Sequence, residues 1–278
     1  MAAVTTDPVE LDSAREEEAT GLRRWLQEHR ALVRGVTAIA AITLVWELVA
    51  RTMMQNSVSI AAPSEVVAEY ISLAETGELW RHISMSGQEF IWGFLLAAVT
   101  GIVVGLAMGA SRTVRDYLDP LVSALYATPV IALGPLFILW MGIGIASKIA
   151  VVYILAVLPI VINTETGIRT VDPHYLETAR AFSAGRLQIF RKVMLPAALP
   201  LILTGVRLGV GRGLIGVVAA ELFAAQAGLG YLVLASSQVF NPAGVFVGIT
   251  ALAIAGIVLM IVLRRLERRL APWREDVK

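Results

Sequence analysis

The sequence contains no cysteine and only three histidines among its 278 residues. Without cysteine the chain has no disulfides, no thiolate metal site and no cysteine nucleophile. Three histidines leave little for a metal centre, so we predict no metal site. The net charge of +1 gives no basic excess that would neutralise phosphates, which argues against nucleic acid as a partner.

Charged residues are also scarce, at 16% of the chain, whereas hydrophobic residues make up 57%. Soluble domains carry about 25% charged and about 45–50% apolar residues. A single soluble core of this size cannot hide such an excess, because the surface must still be largely polar. The composition therefore predicts an integral membrane protein that lies in lipid, and it nearly excludes a water-soluble enzyme.

Motifs for catalysis and nucleotide binding are missing. The sequence has no Gly-x-x-x-x-Gly-Lys-Ser/Thr loop, no His-Glu-x-x-His and no Gly-x-Ser-x-Gly. The glycine-rich stretch 209–213 superficially resembles a nucleotide loop, but it lies inside a predicted membrane span and follows no strand. We therefore predict that the chain is not an enzyme and binds no cofactor of its own.

Long runs with few or no charges predict an all-α membrane protein with six transmembrane helices. About 20 apolar residues cross a bilayer as a helix, and such runs lie at roughly 36–53, 90–110, 121–142, 149–164, 199–223 and 243–263. They form a transmembrane domain over residues 35–270. A tail (residues 1–34) precedes this domain, and its apolar residues predict either a short amphipathic helix on the inner surface or a helical extension of span one. A second tail (residues 271–278) follows the domain.

The basic residues predict the orientation. Most of the 23 lysines and arginines lie in the amino-terminal segment, in the loops after spans two and four, and in the carboxy-terminal tail. Loops rich in lysine and arginine stay on the cytoplasmic side of a membrane. Both termini are therefore predicted to be cytoplasmic, which requires an even number of spans and agrees with six.

The cytoplasmic loop at about 165–199, between spans four and five, is the most informative segment. Asp172-Pro173 can start a helix, with proline at its first position, and Ser183-Ala184-Gly185 can end it. A second short helix with Arg186, Arg191 and Lys192 on its polar side then leads to Pro196, where the chain returns into the membrane. We predict a helix pair on the inner surface that docks a cytoplasmic partner.

This loop resembles that of the permease subunits of type I ABC importers. Their signature is a Glu-Ala-Ala run, a glycine six residues after the glutamate, and Ile-x-Leu-Pro after ten more. Here Glu177-Thr178-Ala179 matches the first part, Ser183 stands in the glycine position with Gly185 two residues later, and Val193-Met194-Leu195-Pro196 matches the last part. The resemblance implies that these residues couple the permease to an ATPase: Glu177, Thr178, Ala179, Ser183, Gly185, Val193, Leu195 and Pro196.

The resemblance extends over residues 60–270 and is greatest to the nitrate, sulfonate, taurine and bicarbonate branch. Matching fragments, in order along the chain, are Ala62-Pro63-Ser64, Tyr117-Leu118-Asp119-Pro120-Leu121, the stretch from Ile138 to Gly144, and Gly228-Leu229-Gly230-Tyr231-Leu232. The family implies an inner-membrane permease homodimer, two ABC ATPase subunits that hold ATP and Mg, and an external substrate-binding protein. The cargo would be a small anion such as nitrate, a sulfonate or taurine.

A transporter or channel that works alone on an ion gradient is the alternative from a different functional class. The long docking loop disfavours it. So does the scarcity of carboxylates within the spans, where we identify only Glu47 and Glu221.

Two glycine ladders predict close helix packing. Residues spaced by four share one face of a helix, and glycines there allow backbones to approach each other. One ladder lies in span two (Gly101, Gly105 and Gly109) and the other in span five (Gly205, Gly209 and Gly213). We expect a packing role rather than a direct lining of a pore.

Span five also carries Arg207, Arg212 and Glu221. A charge at the bilayer centre costs about 2.5–3.5 kcal/mol on insertion scales, so each needs a partner or a wet cavity. Arg212 and Glu221 point to nearly opposite sides of the helix, so they cannot pair. Near the inner end, Arg207 is expected to have a structural role or to snorkel. The candidate pathway residues are Arg212, Glu221, Thr128 and Asn163.

Overall fold

The computed structural model describes residues 30–53 and 60–270, and these residues are nearly all helical and include no strand. The amino-terminal tail up to residue 29, with its predicted amphipathic helix, and the tail 271–278 lie outside the described residues. A 3₁₀ turn, Val130–Leu133, and a π-helical segment, Phe190–Met194, separate some of the helices. Helices α1 to α11 are Arg30–Met53, Pro63–Glu75, Glu78–Ala110, Arg112–Ala127, Gly134–Met141, Ile145–Arg169, Pro173–Ala181, Arg186–Ile189, Leu195–Ala224, Leu229–Gln238 and Pro242–Leu270.

Four of the described helices are long and apolar enough to cross a membrane: α3, α6, α11 and the continuous helix Arg186–Phe223. A bent pair, Arg112–Ala127 with Val130–Met141, meets the same condition when its two parts are taken together. The predicted all-α membrane fold is confirmed. The count of six stays a prediction, because α1, which coincides with the first predicted span, is not among these helices.

The third span was predicted as one helix over 121–142, and this prediction is wrong. The first helix of the bent pair starts earlier, at Arg112, and ends at Ala127. The second part, Val130–Met141, is bent by 89° relative to it. Thr128 is extended, with ψ 139°, and Pro129 follows it. Proline disfavours the α conformation in the residue before it, and it has no N–H for the helix, so the chain breaks here.

The second helix of the pair was expected to be short and to lead to Pro196, where the chain returns into the membrane. Instead α8, the π-helical segment and α9 form one helix of 38 residues, Arg186–Phe223. Pro196 occupies the first turn of α9, directly after the π-helical segment. Because proline cannot donate to the carbonyl four residues earlier, the wider π turn accommodates it without a break.

Helix α6 lies at the centre of the packing, between α3 and α9. On the α3 side, the first glycine ladder touches it directly. A Cβ built on Gly105 would lie 2.6 Å from Thr164 Cβ, and one on Gly109 would lie 2.6 Å from Ile168 Cβ. A Cβ on Gly101 would be 2.9 Å from Ile160 Cγ2. Real Cβ atoms do not approach this closely, so the glycines set the α3–α6 distance.

The second ladder contacts the same helix from α9. A Cβ on Gly205 would lie 2.7 Å from Asn163 Cβ, and one on Gly209 would lie 2.9 Å from Ile160 Cδ1. A Cβ on Gly213 would lie 3.7 Å from Ala156 Cβ of α6, and 3.1 Å from the ring of Phe90 of α3. Both ladders therefore pack within one chain, and Ile160, which is 0% exposed, is enclosed between them.

The described residues divide into two units, one that ends at Glu65 and one that begins at Val66. In the first, Glu47 pairs with Arg51 and accepts hydrogen bonds from the backbone N–H and the hydroxyl of Ser64. In the second, the hydroxyl of Tyr70 is 3.1 Å from the Val247 carbonyl, which ties α2 to α11.

Candidate functional site

A helix pair formed by α7 and α8 (residues 173–189) lies between α6 and the rest of the long helix. The side chain of Asp172 caps its start by accepting the N–H of His174 at 2.9 Å. Pro173 occupies the first helical position, where its missing N–H has no partner to lose. The predicted helix start at Asp172-Pro173 is therefore confirmed.

The turn between α7 and α8 is built on Ser183, whose φ is +56°. The N–H of Ser183 donates to the Arg180 carbonyl at 2.8 Å, and that of Ala184 donates to the Ala179 carbonyl at 3.1 Å. These two bonds are the Schellman pattern, in which a left-handed residue ends the helix. Ser183 thus adopts the conformation that glycine accepts most easily, whereas Gly185 has an ordinary φ of −69°.

The helix pair exposes large apolar side chains: Tyr175 is 61%, Phe182 83% and Leu187 68% exposed. Glu177 and Thr178 are exposed beside them, while Ala179 is half-buried. Val193, Leu195 and Pro196, at the start of the long helix, are half-buried. Apolar and charged groups together on one surface are typical of a docking site for another protein.

Arg212 lies on an exposed face of α9. Leu208 is 50% and Ile215 49% exposed, and together with Arg212 they form a stripe at helical spacing. No described residue forms an ion pair with Arg212. Arg207 differs, because it forms an ion pair with Glu267 of α11. Arg212 is therefore the only unpaired cation among the described residues of α9, which lies within a candidate span.

The other two polar pathway candidates are placed differently. Thr128 is exposed at the break between α4 and the 3₁₀ turn, where its hydroxyl donates to the Ala124 carbonyl. Asn163 is half-buried in α6, and its amide donates to the Pro159 carbonyl at 2.8 Å. The structure does not bring either residue together with Arg212 into one cluster of hydrogen bonds within the described part of the chain.

Glu221 is 0% exposed and lies near the end of α9. Its Oε1 accepts the hydroxyl of Ser86 at 2.6 Å, and its Oε2 accepts the N–H of Gly230 at 2.5 Å. In this conformation the carboxylate contacts α3 and the start of α10 rather than open space.

A second buried carboxylate lies next to it. Glu89, on α3, is 0% exposed, and its Oε1 accepts a hydrogen bond from the ammonium of Lys148 at 2.9 Å. Sequence reasoning missed this pair, because Glu89 directly precedes an uncharged run and Lys148 falls between two predicted spans. A search of α3 for residues on one helix face could have found Glu89, since it shares a face with Ser86, Gly93 and Ala97.

Among the described residues, no group of three or more His, Cys, Asp or Glu side chains is arranged to hold a metal ion.

A family model matches most of the chain. Residues 97–272 match the model described as binding-protein-dependent transport system inner membrane component. The matched region includes the helix pair, α6 and α9.

Curated relatives cover nearly the whole length. The chain is 34% identical over 254 residues to the taurine transport system permease protein TauC of Escherichia coli (strain K12), covering 90% of this chain and 92% of that protein. It is 36% identical over 244 residues to the putative aliphatic sulfonates transport permease protein SsuC of Bacillus subtilis (strain 168), covering 88% of each.

Solved structures share the fold. The chain is similar to the MetNI methionine ABC transporter in an inward-facing conformation, with a TM-score of 0.57 and 21% identity over 70% of this chain and 95% of that one. An amino acid ABC transporter crystallised with histidines gives a TM-score of 0.57 at 15% identity, covering 74% of this chain and 98% of that one.

These matches confirm the resemblance to ABC importer permeases and to their taurine and sulfonate branch. They also agree with the lack of catalytic motifs, since the relatives are permease components. The chain belongs to the family of binding-protein-dependent transport system inner membrane components, and it is a multi-pass permease component of the inner membrane, not an enzyme.

Proposed function

We propose that this chain is the permease subunit of an ATP-driven importer for a small sulfonate-type anion such as taurine or an aliphatic sulfonate. An external binding protein delivers the anion, and two ABC ATPase subunits supply the energy. The permease works as a homodimer. The names of the two curated relatives support the substrate class, and the family description supports the binding protein.

The helix pair is the observation that carries this proposal. It exposes Tyr175 and Phe182 outside the candidate spans, and Leu187 at the first turn of the long helix, where the chain's own core does not cover them. Its second helix, α8, is the start of the continuous helix Arg186–Phe223, which is about 57 Å long at 1.5 Å per residue. A movement of the docked ATPase therefore has a direct mechanical route into the membrane. Glu177, beside the exposed apolar side chains, provides a charged contact for the ATPase.

The helix pair faces the cytoplasm, and so do both termini. The excess of lysine and arginine in the loops on this side supports this orientation. With α1 and the bent pair each counted as one span, the chain crosses the membrane six times.

Arg212 is the residue proposed to contact the anion during passage. It is exposed on α9, no described residue neutralises it, and its guanidinium has the planar fork of donors that matches oxyanions. Thr128, also exposed, is proposed as a polar contact on the pathway. Asn163 is proposed to line the pathway in another conformation, since its amide is bound to Pro159 in this one.

A transporter that works alone on an ion gradient is disfavoured, because the matched family depends on a binding protein.

The test is reconstitution. The permease is purified with its cognate ATPase, and ATP hydrolysis is measured with the binding protein loaded with taurine, an alkanesulfonate or nitrate. We expect stimulation by a sulfonate and loss of ATPase co-purification in Glu177→Ala combined with Phe182→Ser. Lys192→Ala, which changes an exposed residue outside the apolar surface, is the control. Co-purification of the double variant at the wild-type level would contradict the docking role.

A further inference from the structure

The turn between α9 and α10, residues 225–228, is non-helical backbone at the end of a candidate membrane span. Backbone N–H groups at such a position are difficult to pair with hydrogen-bond acceptors. Helix α10 has only 10 residues, about 15 Å, so it cannot cross a bilayer. The turn and the start of this helix are nevertheless buried: Ala227 is 5% and Leu229 3% exposed. Non-helical backbone at such a position is tolerated only where the protein itself satisfies the N–H groups.

Three consecutive N–H groups at this turn are satisfied by side chains of other helices. Gly228 donates to Nδ1 of His82 at 3.0 Å, Leu229 donates to the hydroxyl of Ser86 at 2.8 Å, and Gly230 donates to Glu221 at 2.5 Å. Ser86 in turn donates its own hydroxyl proton to Glu221 at 2.6 Å. The Glu221 carboxylate therefore orients both the N–H of Gly230 and the hydroxyl that accepts Leu229.

The two glycines leave the space that this carboxylate occupies. A Cβ on Gly228 would lie 2.1 Å from Oε1 of Glu221, and a Cβ on Gly230 would lie 2.9 Å from Oε2. Gly228 also has a φ of +131°, which residues with a Cβ rarely adopt. The stretch Gly228-Leu229-Gly230 is thus shaped around Glu221.

A carboxylate is a costly choice for a purely apolar packing role. Removing a charge from water costs several kcal/mol unless hydrogen bonds and an opposite charge compensate it. Here the hydrogen bonds come from Ser86 and Gly230, and the positive charge comes from Lys148, which is hydrogen-bonded to the adjacent Glu89. The free-energy cost of burying the Glu221 carboxylate is explained if this carboxylate specifies one arrangement of the turn. An apolar side chain could not do this.

We infer that Glu221 is a positioning residue that holds the start of α10 against α3 and α9. Because α9 is continuous with the helix pair, this contact makes α10 follow any displacement that reaches the far end of the long helix. The transmission of a displacement to α10 rests on the proposed function, whereas the placement of α10 by Glu221 does not.

The chain has no cysteine, so single cysteines report on this turn without background. Ala227 is buried and Gln226, its neighbour, is exposed, which gives a matched pair of probes. Each is replaced by cysteine in the full chain, the protein is placed in lipid nanodiscs, and labelling by a membrane-impermeant maleimide is timed. We expect fast labelling at position 226 in every background and slow labelling at position 227 in the otherwise unchanged chain.

Glu221→Ala should accelerate labelling at position 227 at least about tenfold, because the turn loses the group that orients it. Glu221→Gln should restore slow labelling to within about twofold, since its amide accepts from Gly230 and donates to Ser86 with the same shape. Ala97→Cys, at the α3–α6 contact, should stay protected throughout and so exclude general unfolding. Equal protection of position 227 in Glu221→Ala would overturn the inference.

Ser86→Ala decides the matter if Glu221→Ala does not fold, because it removes the bridging hydroxyl and keeps the carboxylate. We expect an intermediate acceleration at position 227, and none would overturn the inference. With the cognate ATPase and binding protein, Glu221→Gln should retain taurine uptake and Glu221→Ala should lose it while still binding the ATPase. Failure of the unchanged chain to bind an ATPase would contradict the proposed function alone and leave the labelling result standing.

Discussion

The ammonium of Lys148 lies 2.9 Å from Oε1 of Glu89, although 59 residues separate them in the chain. Lys148 is 5% exposed and Glu89 is 0% exposed. The pair joins the first turn of α6 to α3 at the end of the bundle opposite the helix pair. It also supplies the positive charge beside Glu221, so two buried carboxylates share one cation.

Lys148→Met should destabilise the chain strongly, because it leaves Glu89 and Glu221 buried without a cation. Removing one partner of a buried pair costs about 3–5 kcal/mol. Glu89→Gln should cost much less, since the amide oxygen still accepts from Lys148 and Glu221 remains as the counter-charge. Thermal unfolding of both variants, purified in the same detergent, tests this order. A Lys148→Met protein as stable as the unchanged one would refute it.

Ser183→Gly should preserve ATPase binding and transport, because glycine adopts the observed positive φ without strain. Ser183→Val should weaken ATPase binding, since a left-handed conformation costs about 1–2 kcal/mol even without a branched Cβ. Gly185→Ala is the control: φ there is −69°, and no atom lies within 4 Å of the added Cβ. Co-purification with the ATPase measures all three. Loss of binding in the control rather than in Ser183→Val would contradict the role of the turn.

Arg212→Gln should reduce sulfonate uptake at least tenfold while leaving the unfolding temperature unchanged, because the guanidinium has no partner among the described residues. Arg207→Gln should instead lower the unfolding temperature and leave the sulfonate uptake of the folded protein largely unchanged. It leaves Glu267, whose side chain is 12% exposed, without its cation, and unpaired buried acceptors cost about 1–3 kcal/mol. Uptake and thermal stability are measured on the same preparations. If Arg212→Gln lost stability and uptake in proportion, its role would be structural.

Gly105→Ala should destabilise the α3–α6 contact, because its Cβ would lie 2.6 Å from Thr164 Cβ and 2.7 Å from the Val161 carbonyl oxygen. Overpacking of this kind costs about 1–3 kcal/mol. Gly87→Ala, on the same helix, meets nothing within 4 Å and should be neutral or slightly stabilising. Unfolding temperatures in detergent compare the two. Equal temperatures would show that the helices separate without cost.

Topology is tested with cysteines at Ser183 and Ser237. Both side chains are exposed, whereas the neighbouring Ser236 is buried and would label poorly. In sealed vesicles an impermeant reagent should reach the two positions from opposite sides of the membrane, Ser183 from the cytoplasmic side. Labelling of both from one side would remove the six-span arrangement.

Composition and charge pattern were enough to predict the membrane class, the positions of α3, α6 and α11, and the helix pair with its start at Asp172-Pro173. These features depend on local properties: runs of apolar residues, basic loops, proline at a first helical turn and a left-handed stop. Family membership followed from the order of short motifs, which the match over residues 97–272 confirmed. The glycine ladders indicated close packing, because their spacing alone places them on one helix face.

Tertiary structure alone decided which helices meet and which charges share a site. Both ladders pack on α6, and that choice depends on shape complementarity with Ile160 and Thr164 rather than on spacing. The contacts of Glu221 with Ser86 and of Glu89 with Lys148 cross 135 and 59 residues of chain. In the sequence, each of these charges stands alone in or beside an apolar segment, where an unpaired charge is unfavourable. Only the packed fold brings donors and counter-charge within hydrogen-bond distance, and that proximity is what makes buried charge tolerable.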